Sequence, residues 1–320
     1  MSYRFDCVVC GEVCADLPMR PIDQHKPLRE METVPIETSR PGSDGIVSNS
    51  GIAMARLGLA VGAFGYVGDD VWGDMLTRLF ADASLNTQHM LRHPNLPTSI
   101  SVVLVGDDGE HTFAYHSGAS RAFDRATVLA RLELFRGSIF ALFRYYALMP
   151  ELEHDLPGVL KEVQQCGCRT ALDAAGGGGK MQPLDRILPH LDIYVSSYDE
   201  AQSQTGKSDP QRMISVFREF CQGGLLGVKL GDEGALLSPA PDDWIQVPPV
   251  EPPGPVVDTT GAGNNFYAGL LTGLSHGMSV YDAGRLGAAA GACCVTALGA
   301  TAGLRSFEET RQLAGVPFRG

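Results

Sequence analysis

The sequence predicts an α/β fold of three layers: a mostly parallel central sheet, helices on both of its faces, and a small β lid. Three observations predict it. Strand-like and helix-like segments alternate over most of the 320 residues, as they do where helical crossovers join parallel strands. The chain closes on two long apolar helical segments. One section breaks the rhythm with two extended runs joined through Asp108-Gly109, a hairpin signal.

Taken in order, FDCVVCGEVC (5–14) reads as a first strand, and NSGIAMARLG (49–58) as a helix that Gly58 closes. AVGAFGYVG (60–68) is a strand. DVWGDMLTRLFADAS (70–84) is a helix, because Met75, Leu76, Leu79 and Phe80 recur on one face. SISVVLVGDDGEHTFAYH (99–116) is the hairpin. Apolar runs at SIFALF (138–143), CRTALDAA (168–175), LDIYVSS (191–197) and LLGVKL (225–230) are further strands with helices between them. NNFYAGLLTGLSHG (264–277) and YDAGRLGAAAGACCVTALG (281–299) are the closing helices. The Pro-rich, non-helical stretch from about Leu17 to Ser39 is long for a strand–helix connection. Together with the hairpin it suggests a lid built from about 15–40 and 97–118, within one domain spanning 1–320.

Composition narrows the function. Hydrophobic residues make up 44%, charged residues 19%, and the net charge is −12 with no basic run. Nucleic acid and anionic membranes are therefore poor partners. The opening MSYRFDCVVC lacks the pattern of a signal peptide, and no window approaches about 18 unbroken apolar residues. Eight cysteines in a chain of this length are no disulfide scaffold. Cys7 and Cys10 have CxxC spacing but lie in an apolar strand without a second pair, so buried thiols in a reducing cytoplasm are the expectation.

Two glycine-rich stretches could hold a phosphate. AAGGGGKMQ (174–182) follows a strand but fails as a P-loop, because Ala174 stands where the first glycine belongs and Met181 where a Ser or Thr would hold magnesium. Gly261-Ala262-Gly263 is no dinucleotide fingerprint either, since Phe266 takes the third glycine position. Yet this pair follows VVDTT and opens an apolar helix. Its backbone N–H groups and the helix dipole suit an anion whose charge shifts during a reaction. A tight turn before a packing helix, capped by Asn264, explains the local pattern equally well.

Asp258-Thr259-Thr260-Gly261-Ala262-Gly263-Asn264-Asn265-Phe266 resembles the C-terminal signature of the ribokinase (PfkB) carbohydrate kinase family, D-T-x-G-A-G-D-x-F. Gly11-Glu12 with Asp16 is similar to the family's first-strand G-E-x-x-x-D. Gly45 to Asn49, followed by Ala55-Arg56-Leu57-Gly58, resembles its G-G-x-x-x-N…A-R-L-G. Val67-Gly68-Asp69-Asp70 to Gly73 matches V-G-x-D-x-x-G, and Lys229-Leu230-Gly231-Asp232-Glu233-Gly234 the strand and turn beside the nucleotide. Each motif is common; their order from Gly11 to Phe266 is specific.

The resemblance implies a ribokinase-like fold and transfer of the γ-phosphoryl of ATP to a hydroxyl of a sugar, polyol or nucleoside. Asp16, Gly45 and Asn49 would bind the acceptor. Lys229, Gly231, Gly234, Thr260 and Gly263 would bind the nucleotide, and Gly261 to Gly263 would stabilise the moving charge. Glu200, in Ser197-Tyr198-Asp199-Glu200, would organise Mg2+ through water, and Asp258 with Thr259 would hold a monovalent cation, K+. His116, Arg121 and Arg144 are further pocket candidates. A small sheet standing clear of the body leaves an edge or face that prefers to be covered, so a homodimer through the lid is expected. Three positions depart from the family: Asp44 replaces a glycine, Ser197 an asparagine, and Asn264 the general-base aspartate. A carboxamide has no basic lone pair, so the sequence predicts an impaired kinase. The alternative is a non-catalytic sugar- or nucleotide-binding protein on the kinase fold.

Overall fold

The structure, a computed structural model, describes residues 5–317 apart from 24, 31–32, 38–40, 107–110, 145 and 175–179. The Asp108-Gly109 turn, all four AAGGGGKMQ glycines and the side chain of Asp44 lie outside the described residues.

Thirteen strands form among the described residues: β1 (Cys7–Gly11), β2 (Val13–Met19), β3 (Gly42–Gly45), β4 (Val61–Gly68), β5 (Asn86–His93), β6 (Ser99–Val105), β7 (His111–His116), β8 (Phe140–Arg144), β9 (Arg169–Asp173), β10 (Ile193–Ser197), β11 (Leu225–Lys229), β12 (Ala235–Ser238) and β13 (Ile245–Val247). Nine of them make the main sheet, in the order β13-β12-β11-β10-β9-β8-β1-β4-β5. It is parallel from β11 to β5, with β12 and β13 antiparallel at one edge. A second sheet has the order β3-β2-β6-β7.

The main sheet separates two cores because successive side chains of a strand point to opposite faces. Val8, Cys10, Ala141 and Phe143 join one core, with Leu156, Val159, Met213 and Phe217 from the helices below. Cys7, Val9, Phe140 and Leu142 join the other, with Met54, Phe80, Tyr267 and Leu270. Helices on both faces are thus required by apolar strands buried on both sides. The helix Ala262–Ser275 is buried at every residue from Asn264 to Gly273, so it is a core element rather than a surface one.

Two elements differ from their sequence reading. The run 5–14 is two strands: the chain leaves the main sheet after Gly11 (φ +135°), and β2 pairs with β3 and β6 instead. The last long helix ends at Cys294 rather than near Gly299. Its next carbonyl, that of Val295, accepts the N–H of Val257 at 2.8 Å, and Gly299 (φ +87°) turns the chain back. The segments 15–40 and 97–118 contain β6, β7 and most of β2; β3 and Val13-Cys14 lie beyond them.

The second sheet is fastened at its root. Ser120 Oγ accepts from the Val13 N–H (3.1 Å), donates to the Val13 carbonyl (3.0 Å) and is held by Ser99 Oγ at 3.0 Å. Asp70 caps the helix Val71–Asp82 through the Gly73 N–H at 2.9 Å. Its carboxylate also accepts the Thr98 N–H (2.8 Å) and hydroxyl (2.6 Å) at the entry to β6. Partial burial opposes ionisation of Asp70, but the Thr98 hydroxyl and the N–H groups of Thr98, Gly73 and Trp72 outweigh it and hold the pKa below the usual carboxylate value.

Asp70→Ala should destabilise the fold by about 2–3 kcal/mol, from the lost cap and the charged hydrogen bonds. Because the folded pKa is the lower one, this contribution is complete above the unfolded value near pH 3.9. It disappears as pH falls through the folded value. Denaturant titrations should show a constant gap between wild type and D70A from pH 7 to about pH 5 that closes towards pH 2.

Candidate active site

Five parallel strands end in one row, with Gly11, Arg144, Asp173, Ser197 and Lys229 as their last residues. The register pairs Gly11 with Arg144, Arg144 with Asp173, and Ser197 with Lys229. The carboxyl ends of such a sheet are where open α/β folds place their ligands, because loops and helix N-termini converge there.

Asp173 is the centre of this row. Its side chain is 1% exposed, with Arg144 Nε 3.4 Å from Oδ2 and Lys229 Nζ 3.9 Å from Oδ1. A buried carboxylate requires such compensation. The Asn264 amide donates to Asp173 Oδ2 at 3.4 Å, while its own Oδ1 accepts from Asn49 Nδ2 at 3.4 Å. Ser50 Oγ donates to the Asn264 carbonyl at 3.3 Å. The structure therefore brings Asn49, Asn264 and Lys229 together around an aspartate. Asp173 and Ser50 are absent from the sequence-based candidates. The signal for Asp173 was an acidic residue closing the buried strand RTALD, a position that needs a partner.

Gly261 caps the helix Ala262–Ser275 in a left-handed conformation, φ +80° and ψ −3°. The following N–H groups, those of Gly263 and Asn264 among them, precede the first carbonyl within helical reach and so point out of the helix as donors. A Cβ at Gly263 would lie 3.3 Å from Lys229 Nζ, which places the ammonium against this turn. Lys229 also lies over the Tyr267 ring, 5.7 Å from its centroid. Tyr267 is itself fixed by bonds from its hydroxyl to the Leu172 and Ile193 carbonyls. Gly261, Ala262 and Gly263 are partly exposed, so the donors can be reached.

The other candidates spread around this centre. Gly45 ends β3 and caps the helix Ile46–Arg56 that carries Asn49. Its φ of +95° and the Glu12 carboxylate, 2.5 Å from where a Cβ would be, both require glycine. Asp16 is half-buried in β2, in register with Gly42 and Ser101. Gly231 and Gly234 bracket the turn after β11, closed by the Leu230 N–H to the Gly234 carbonyl at 2.8 Å. Asp258 accepts the N–H groups of Thr260 and Gly299, with Thr259 exposed beside it. Arg144 belongs to the buried cluster, whereas His116 and Arg121 are exposed.

Ser197 and Glu200 form a capping box on the helix Tyr198–Thr205: Ser197 Oγ accepts the Glu200 N–H, and Glu200 Oε2 accepts the Ser197 N–H at 2.8 Å. Glu200 is buried, in the first turn of the helix that follows β10. Among the described residues no group of three or more His, Cys, Asp or Glu is placed to hold a metal by itself.

Asn265 is a further residue that sequence reading missed. Fully buried, it donates to the carbonyls of Gly261 and Ala300, each at 2.8 Å, and so ties the glycine turn to the loop after the last long helix. Cys294 Sγ donates to the Thr260 and Ala300 carbonyls at 3.3 Å, and burial pushes its pKa up to about 12, which keeps it a thiol. Asn265→Ala should strip two partly buried carbonyls of a donor and cost about 1–3 kcal/mol. Amide hydrogen exchange of residues 259–265 should rise in this variant before any other core segment.

The family model for pfkB family carbohydrate kinases matches residues 6–306. The chain is 27% identical over 308 residues to ribokinase of Arabidopsis thaliana, covering 92% of this chain and 76% of that protein. It is 29% identical over 279 residues to aminoimidazole riboside kinase of Salmonella typhimurium, covering 81% and 84%. A solved structure of Arabidopsis thaliana ribokinase complexed with ribose and ATP superposes with a TM-score of 0.84 at 23% identity, covering 98% of this chain and 100% of that one.

Proposed function

Because the chain belongs to the pfkB family of carbohydrate kinases, we propose that it moves the γ-phosphoryl of ATP to a hydroxyl of a sugar, a related small polyol or a nucleoside. The observation that carries this reading is the reachable glycine turn at Gly261–Gly263, with the Lys229 ammonium against it and the Asn49–Asn264 pair beside it. Backbone donors and a fixed cation at one point suit a phosphoryl group that gains charge on its equatorial oxygens. The relatives' sugar and nucleoside acceptors support the substrate class.

In this reading Asp16, Gly45 and Asn49 hold the acceptor, a carboxylate and an amide being able to accept from and donate to adjacent hydroxyls. The second sheet serves as a lid that excludes water. Lys229, Gly231, Gly234 and Thr260 border the nucleotide. Glu200 fits Mg2+: its one carboxylate supplies hard oxygens, and the remaining positions go to water and phosphate, as this ion prefers. Bound there, Mg2+ would neutralise phosphate charge. K+ fits beside Asp258 and Thr259, where a carboxylate is steadied by two backbone N–H groups.

Asn264 cannot take the hydroxyl proton. Loss of a general base costs about 10²–10⁴-fold, so transfer is impaired if nothing replaces it. The same carboxamide favours a second reading, a protein that binds sugar and nucleotide without transfer. Calorimetry with Mg·ATP and a panel of pentoses, hexoses and nucleosides, followed by product analysis, separates the two. The kinase reading expects a bound acceptor to become a phosphate ester; a ligand bound with ATP and recovered unchanged overturns it. Glu200→Gln should keep the capping box, which glutamine also forms. It should weaken Mg2+ dependence about tenfold or more while shifting the melting temperature little.

All eight cysteines are free, in keeping with a reducing cytoplasm. No helix among the described residues is long and apolar enough to cross a membrane. We extend the reading to a homodimer through the second sheet, whose outer strand β7 exposes Phe113 (54%) and Tyr115 (37%). Light scattering should give twice the chain mass, and Phe113→Lys should halve it.

A further inference from the structure

Residue 264 has two side-chain partners, and one of them is an acid. The Asn264 amide hands its proton-bearing nitrogen to Asp173 Oδ2 and turns its oxygen towards Asn49. A carboxylate therefore stands one hydrogen bond from the position that lacks it. On the kinase reading above, we propose that Asp173 is the proton acceptor of this chain, and that Asn264 orients the acceptor hydroxyl instead of deprotonating it.

Three features support the exchange. Asp173 closes β9 at the carboxyl ends of the sheet, in the same row as Lys229 and Arg144. Its two oxygens are held by different elements: Oδ1 faces Lys229, whereas Oδ2 is shared between Arg144 and Asn264. Oδ2 therefore lies on the Asn264 side, where the Asn49 amide marks the acceptor's location. Asn264, with its nitrogen committed to a carboxylate, presents Oδ1 as an acceptor towards that same place. In the step, the hydroxyl oxygen forms its bond to the γ-phosphorus while the bond to the bridging oxygen breaks. ADP keeps that electron pair, and the hydroxyl proton moves to Asp173 Oδ2, directly or through one water. Lys229, beside both Asp173 and the glycine turn, faces the charge on each side of the transfer.

The test compares wild type, Asp173→Asn, Asn264→Asp and the double exchange, using the acceptor sugar identified by calorimetry. D173N should lose about 10²–10⁴-fold in kcat with KM changed by less than about threefold. A role confined to folding would not separate kcat from KM in this way. N264D alone should gain less than about tenfold, since the wild type already has a base. If D173N fails to fold, the double exchange decides, because it keeps one carboxylate and one amide in the same two places. Recovery of the double exchange to within about tenfold of wild type supports the proposal. A folded D173N within about threefold of wild type overturns it, as does a gain of about 10²-fold or more in N264D. No ester from any variant, with sugar and ATP bound, removes the kinase reading itself and the proposal with it.

Discussion

A carboxylate taken almost wholly out of bulk solvent needs partners in fixed places, and Asp173 sets that requirement for the whole centre of this molecule. Its companions come from β8, β11 and the helix Ala262–Ser275, so three elements are positioned by one charge. Breaking a buried ion pair by removing one member costs about 3–5 kcal/mol, far more than a surface bridge contributes. The surface pairs here, such as Arg78 with Asp82, carry no comparable constraint. The apolar cores on either side of the sheet supply most of the stability, but they would tolerate small slips of one strand end against another. The cluster does not, and the glycine turn inherits its accuracy from it through Asn264.

The second sheet depends on a different device. It has no core of its own and is carried by the main body at the serine contacts of Ser99 and Ser120 and at the Asp70–Thr98 bonds. These anchors lie close to the sheet's root, and the outer strand β7 is left with the exposed aromatic side chains of Phe113 and Tyr115. Polar rigidity at the root and apolar surface on the outer strand are the division expected of a part that must keep its direction and still be covered by something.

Much of this was legible in the sequence because it is local. The alternation of strands and helices, the hydrophobic face around Leu76 and Phe80, and the glycine turn at 261–263 are each written within a few residues. So was the exception at Asn264. What was not legible is what depends on distant pairing. β3 is GSDG, a run without β propensity, and it is a strand only because β2 offers it partners. The division of β1 from β2 was hidden by an unbroken apolar run in which only Glu12 differs. Asp173 was hidden most thoroughly. A single acid closing a buried strand signals only that a partner is needed, and its partners are scattered from Arg144 to Asn264.

The absence of any linker between β1 and β2 has a mechanical consequence. With only Glu12 between them, the second sheet is a direct extension of β1, whose last residue Gly11 is in register with Arg144, the neighbour of Asp173. It also returns to the body at Gly45, which passes straight into the helix of Asn49, and at Gly118, whose φ is +44°. With the entry to β6 at Thr98, tilting that sheet therefore turns four crossings at once, two of which carry residues bearing on the polar centre. The arrangement is a lever with its fulcrum at the polar centre: force on the exposed face of β7 is delivered to the end of β1 and to the start of the helix that carries Asn49.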